Sequence, residues 1–127
     1  MQCLLGIMFA AGLFLFPGDR PTSLPEARDA VEHNLRSSEG RAYDQQLGTE
    51  FFQKHLAPLR QCKQTAGKDL RSFWILLKLD KDGTVKEVLF SPETALGTCA
   101  RDALLKDKFL QPPTPAYWVS VYLKIGQ

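Results

Sequence analysis

The sequence predicts an α+β fold: a small antiparallel three-stranded sheet, built from a β-hairpin and a C-terminal strand, with helices packed on one face. Three observations predict it. Apolar spacing changes near residue 73 from a helical period of about 3.6 to an alternating period of about 2. Asp82-Gly83 lies between two alternating runs, which is a strong hairpin signal because Gly accepts the positive φ of a tight turn. Helical spacing then returns at residues 96–104, and a last alternating run follows at 118–125.

The elements follow in order. Ser23-Leu24-Pro25-Glu26 makes a capping box, with Pro tolerated in the first turn. Ala27, Ala30, Val31, Asn34 and Leu35 continue a short helix that ends near the SSEG at 37–40. A second helical stretch runs from about Ala42 to Gln64, with Tyr43, Leu47, Phe51, Phe52, Leu56, Leu59 and Cys62 on its apolar side. Pro58 removes a backbone donor there and crowds the carbonyl four residues back, so a kink or break is expected. FWILLKLD (73–80) and TVKEVLF (84–90) read as the hairpin strands. Leu96, Cys99, Ala100, Ala103 and Leu104 form one apolar helical stripe that must end before Pro112. In the last strand Val119, Val121, Leu123 and Ile125 face one way, while Trp118, Ser120, Tyr122 and Lys124 face the other.

A chain of 127 residues supports one domain, expected over 21–127. Its 16 basic and 14 acidic residues are mixed along the chain, so no basic stripe points to a nucleic-acid partner. Cys3 to Phe16 carries no polar side chain and is shorter than the roughly 20 residues of a membrane span. It fits the apolar core of a secretory signal peptide, although no Lys or Arg precedes it and no clear small-x-small site follows. Residues 1–20 are therefore expected to be a signal peptide, or a short anchor, plus linker. The expected location is periplasmic or secreted. The alternative is anchoring to the inner membrane through residues 3–16, and membrane contact is expected only if that segment is retained. Removing the leader removes Cys3 and leaves Cys62 and Cys99, an even pair that reads as a disulfide in an exported domain; the alternative is two buried free thiols.

Candidate chemistry is sparse. DKDGT at 80–84 looks at first like a calcium loop. With Gly83 in the glycine position of such a loop, the first and last ligand positions fall on Lys78 and Leu89, which supply no suitable oxygen. The stretch reads as a turn. His33 and His55 lie on separate helical segments without partners at ligand spacing, and a surface or partly packed histidine is expected at both. Ser91 lacks a nucleophile-elbow context and reads as a turn or helix-cap residue. No Cys-x-x-Cys, Cys/His cluster or Gly-rich phosphate loop occurs. No catalytic residues, metal or cofactor are expected, and an enzyme is the least favoured class.

The order hairpin, helix, strand, with DKDGTVKEV, then Ser91, then Leu96, Ala100 and Ala103, then KFLQPP and a final alternating strand, resembles the C-terminal domain of the TonB family. It is more similar still to the two-cysteine branch found at the ends of gliding-motility and adventurous-motility envelope proteins. That branch tends to carry one Cys in the helix before the hairpin and one in the helix after it, the places of Cys62 and Cys99. The resemblance covers about residues 55–125; Asp107 stands where the family usually has Trp. The linker at 17–22 is too short to cross a periplasm, so the expected role is an adaptor and not an energy transducer.

The resemblance implies that the edge of the last strand accepts an extended peptide by β-augmentation. The partner-binding residues expected are Tyr117, Trp118, Val119, Ser120, Val121 and Tyr122. Trp118 and Tyr122 would be exposed anchors, or else would pack against Trp74 on the neighbouring strand. The expected partner is a protein or peptide of the cell envelope. The alternative is a structural module that forms a homodimer through the same edge.

Overall fold

Ser23 opens the first helix as its sequence requires. Its hydroxyl accepts from the Glu26 amide at 3.2 Å, and the Glu26 carboxylate accepts from the Ser23 amide at 3.0 Å. The computed structural model describes residues 21–65 and 67–124, so the expected leader and linker at 1–20 lie outside the described residues. The elements are α1 (Leu24–Asn34), α2 (Ser38–Glu50), a π-helical turn (Phe51–His55), α3 (Leu56–Thr65), β1 (Phe73–Leu79), β2 (Val85–Ser91), α4 (Ala95–Leu104) and β3 (Tyr117–Leu123). This is the expected α+β arrangement, with one open antiparallel sheet ordered β2-β1-β3.

Local chemistry moves three boundaries from their expected places. The SSEG stretch begins α2 as well as following α1: the Ser37 hydroxyl accepts from the Gly40 amide at 2.9 Å. Arg41 reaches back to the carbonyls of Leu35 and Arg36, both at 3.0 Å, and so satisfies acceptors left open where α1 ends. The break expected at Pro58 comes earlier, as the wider turn at Phe51–His55. Helical backbone continues through this turn into α3, and Pro58, which cannot donate to the carbonyl four residues back, lies three residues after it. Thr94, not Ser91, caps α4, accepting from the Gly97 amide at 3.0 Å; Ser91 ends β2.

The pleat divides the sheet into two faces. On one, Phe73, Ile75, Leu77 and Leu79 stand opposite Leu123, Val121, Val119 and Tyr117. An irregularity between Lys78 and Leu79 shifts the β1–β2 register, and Val85 and Val88 are both buried in the core. Over this face pack Tyr43 and Leu47 of α2, Phe51 of the π turn, Leu59 and Cys62 of α3, and Leu96, Ala100 and Leu104 of α4. A Cys62–Cys99 disulfide joins α3 to α4 across a Cα–Cα distance of 5.7 Å. Gly97 lets α4 approach β2 closely, since a Cβ there would fall on the Phe90 ring.

The expectation that all helices share one face is corrected by α1. Ala27 and Val31, four residues apart, cover Leu76 and Trp118 on the opposite face, with Leu24, Ala30, Leu35 and Leu89 around them. The physical reason lies in the outward side chains of β1 and β3. Leu76 and Trp118 are large and apolar, and leaving both in water would forgo roughly 1.5–3 kcal/mol for each. Thr22 fixes the start of α1 through two bonds to the Glu87 carboxylate, at 2.8 and 2.9 Å. Asn34 fixes its end by donating to the Trp118 carbonyl at 3.0 Å. The helix therefore crosses the sheet from β2 to β3 at the level of Glu87, Lys78 and Trp118.

Candidate partner-binding edge

Among the described residues β3 is an edge strand, paired with β1 alone. In an antiparallel ladder a residue's N–H and C=O point to the same side, and the side alternates along the strand. The Trp118 carbonyl accepts from Asn34, so it points away from β1. Ser120 and Tyr122, in step with Trp118, also turn their main-chain groups to the open edge. Among the described residues no hydrogen bond reaches those groups. This leaves two donors and two acceptors available along the edge beyond the Asn34 contact.

The side chains next to this edge form a small aromatic floor. α1 covers the rows of Lys78 and Leu76 but stops short of the row that pairs Trp74 with Tyr122. These two rings pack across the strands with centroids 4.9 Å apart, yet remain 45% and 47% exposed. Between them and α1 runs a groove of about 300 Å³, lined by Arg28, Val31, Glu32, Trp74, Leu76 and Ser120. Ser120 is the small side chain between Trp118 and Tyr122 on this face, and it keeps the groove open toward the edge.

Only part of the expected binding segment is accessible. Tyr117, Val119 and Val121 are buried in the core, and Tyr117 packs edge-on against Tyr43 at 5.3 Å. Trp118, expected as an exposed anchor or a partner of Trp74, is 5% exposed beneath α1. It is corrected to a core residue of the α1 face. Ser120 and Tyr122 remain reachable, and Trp74 joins them as the ring that Tyr122 packs on. Arg28, Glu32 and Asn34 were not foreseen at the edge; they lie 84 to 92 residues before their β3 neighbours, and only the unexpected position of α1 brings them there.

The other candidate groups are elsewhere. At the hairpin tip, Asp80 Oδ1 accepts from the amides of Asp82 and Thr84, both at 3.1 Å, and Asp82 Oδ1 accepts from Thr84 at 3.0 Å. Hydrogen bonding with Asp80 and Thr84 holds the Asp82 carboxyl well below the ordinary range. These are turn bonds, and among the described residues no His, Cys, Asp and Glu cluster of three forms. His33 is exposed beside a separate surface hollow, whereas His55 is buried. The His55 ring stacks on Phe109 at 4.0 Å, its Nδ1 lies 2.8 Å from Asp107 Oδ2, and its Nε2 is buried without a hydrogen-bond partner among the described residues. The sequence gives no signal for that pair, which spans 52 residues. Asp107 belongs to the connector between α4 and β3, which is also held by Glu50 to the Leu110 amide at 3.1 Å and by the Tyr43 hydroxyl to the Leu110 carbonyl at 2.7 Å.

No protein-family model, curated protein or solved structure matches this chain. The likeness to TonB-type domains therefore rests on the short motifs of the sequence.

Proposed function

We propose that the protein is an exported cell-envelope binding or adaptor domain that recruits a protein or peptide partner by strand addition at β3. The observation that carries this reading is the open edge at Ser120 and Tyr122, bordered by the exposed Trp74–Tyr122 pair. Main-chain pairing at such an edge supplies affinity, and the neighbouring side chains supply selectivity. The Cys62–Cys99 disulfide suits an oxidising compartment, which favours a periplasmic or secreted location. No helix among the described residues is long and apolar enough to cross a membrane. The resemblance to TonB-type domains agrees with strand addition. A binding role is preferred to catalysis because the buried His55–Asp107 pair is packed against Phe109 and makes no bond to a hydroxyl or thiol among the described residues.

Ser120→Pro tests the reading. Its N–H faces the open edge, so proline removes an edge donor and leaves the ladder to β1 intact. Expected: the variant keeps its fold and disulfide but loses the envelope proteins that the unmodified protein captures. Capture of the same proteins by both forms would sink strand addition. Concentration-dependent self-association that Ser120→Pro abolishes, with no other protein captured, would favour a homodimerising module through the same edge.

A further inference from the structure

We infer that the strand added to β3 is an extended acidic peptide that places one large apolar side chain in the groove beside Ser120 and a carboxylate beside Lys124; this deepens, and rests on, strand addition at that edge. Asn34 already occupies the Trp118 carbonyl, so an added ladder stops there and extends toward Tyr122 and Lys124. On the α1 face the edge then offers Ser120 and Tyr122, and exposed Lys124 is next in that alternation, one residue past the end of β3. A peptide residue beside Ser120 meets no bulky β3 side chain. It can pass over the serine onto Leu76, Val31 and Trp74, in a groove of about 300 Å³ that suits a leucine or phenylalanine side chain.

Charge selects the rest of the motif. Arg28 on the groove wall and Lys124 just past β3 have no ion-pair partner among the described residues; Glu32 is the one anion lining the groove. Peptide residues beside positions 120 and 124 are themselves four apart and lie on one face of the added strand. A carboxylate at the second position meets Lys124, and the excess of cations disfavours a basic peptide. The specificity is thus an apolar residue and an acidic residue four positions apart. A hydrophobic anchor beside a charge pair is the usual composition of a small selective interface.

The test uses the disulfide-bonded protein and short fluorescent peptides of alternating serine and threonine. They carry leucine and glutamate four positions apart in either order, to cover parallel and antiparallel addition. Affinity is read by anisotropy. Replacing the leucine with serine, or filling the groove with Ser120→Phe, should each weaken binding about tenfold, and the two changes together should cost no more than either alone. Lys124→Glu, at an exposed position that leaves packing untouched, should reverse the preference between glutamate and lysine peptides. Binding that ignores the leucine, or that Lys124→Glu does not redirect, would overturn the motif while leaving strand addition standing. No binding by any peptide, with Ser120 and Tyr122 amides gaining no protection from hydrogen exchange, would overturn strand addition as well. Self-association that blocks peptide binding and is lost in Ser120→Phe would assign the groove to a second copy and overturn the proposal.

Discussion

The two faces of the sheet are built from the same three strands but closed in different ways. The core face is covered by α2, the π turn, α3 and α4, with a disulfide tying the last two helices together. Among the described residues the opposite face has a single 11-residue helix, held at its ends by Thr22–Glu87 and Asn34–Trp118 and resting on Ala27 and Val31. The first arrangement buries all the inward side chains of β1 and β3 and leaves Phe90 of β2 partly covered. The second covers Leu76 and Trp118 but leaves Trp74 and Tyr122 half in water. The faces thus differ in closure among the described residues: one is a packed core, and the other keeps a strip free beside the edge where partner binding is proposed.

The largest expected effect tests whether the sealed face carries the stability. Cys62→Ser with Cys99→Ser removes a cross-link between residues 37 apart, and urea denaturation should show a loss of about 4 kcal/mol on the chain-entropy model. A loss under about 1 kcal/mol would mean that the unfolded chain is compact without the bond.

Next comes a paired truncation, one on each face. Leu77→Ala in the core face should cost about 3 kcal/mol, since Leu77 is fully buried among side chains that cannot all collapse inward. Val31→Ala on the α1 face should cost about 1 kcal/mol. Hydrogen exchange should show that it releases α1 amides without releasing those of β1. Equal costs, or joint release of both elements, would erase the distinction between the faces.

The smallest effect is a pH limb. Burial, and then the charge of Glu50 and the neighbouring Tyr117, push the Tyr43 phenol well above its ordinary value. A raised pKa in the folded state means that the stability this group contributes is fully present below the unfolded value of about 10 and is lost as pH rises beyond it. Tyr43→Phe should cost about 1 kcal/mol near neutrality, through the bond to Leu110. It should also flatten the fall in stability above pH 10, as followed by thermal melts. Tyr117, raised chiefly by burial, keeps part of that fall in place. An unchanged alkaline limb would show that the Tyr43 ring is free to reach water before the molecule unfolds.

Much of the fold was legible because the determining interactions are short in sequence. The capping box at Ser23, the Asp-Gly turn and the stripe on α4 each lie within one element and its next neighbour. The position of α1 was not legible, because an amphipathic helix shows that it has an apolar side without showing which sheet face that side will meet. The clue was present in β1 and β3, whose outward residues include Leu76 and Trp118, but an outward Trp reads equally well as an exposed anchor. The candidate edge was foreseen as a segment and then narrowed by structure, since burial of Tyr117, Trp118, Val119 and Val121 depends on contacts far away in the chain. The His55–Asp107 pair illustrates the same limit, joining residues from two connecting regions that share no local pattern.

The hairpin tip has one more consequence. Gly83 holds φ at 91°, its carbonyl accepts from the Phe109 amide at 2.9 Å, and a Cβ placed there would fall on the Phe109 carbonyl. Thr84 and Lys108 add a short bridge alongside. Surface turns are the usual places to splice in tags or to let sequence drift. This one is unsuited to either, because the turn is also the mooring for the connector that leads into β3. An insertion at Asp82-Gly83 would displace the strand whose edge is proposed to meet the partner, without touching that edge. A reporter peptide belongs instead beside exposed Gly67, with that glycine kept because its φ is 75°.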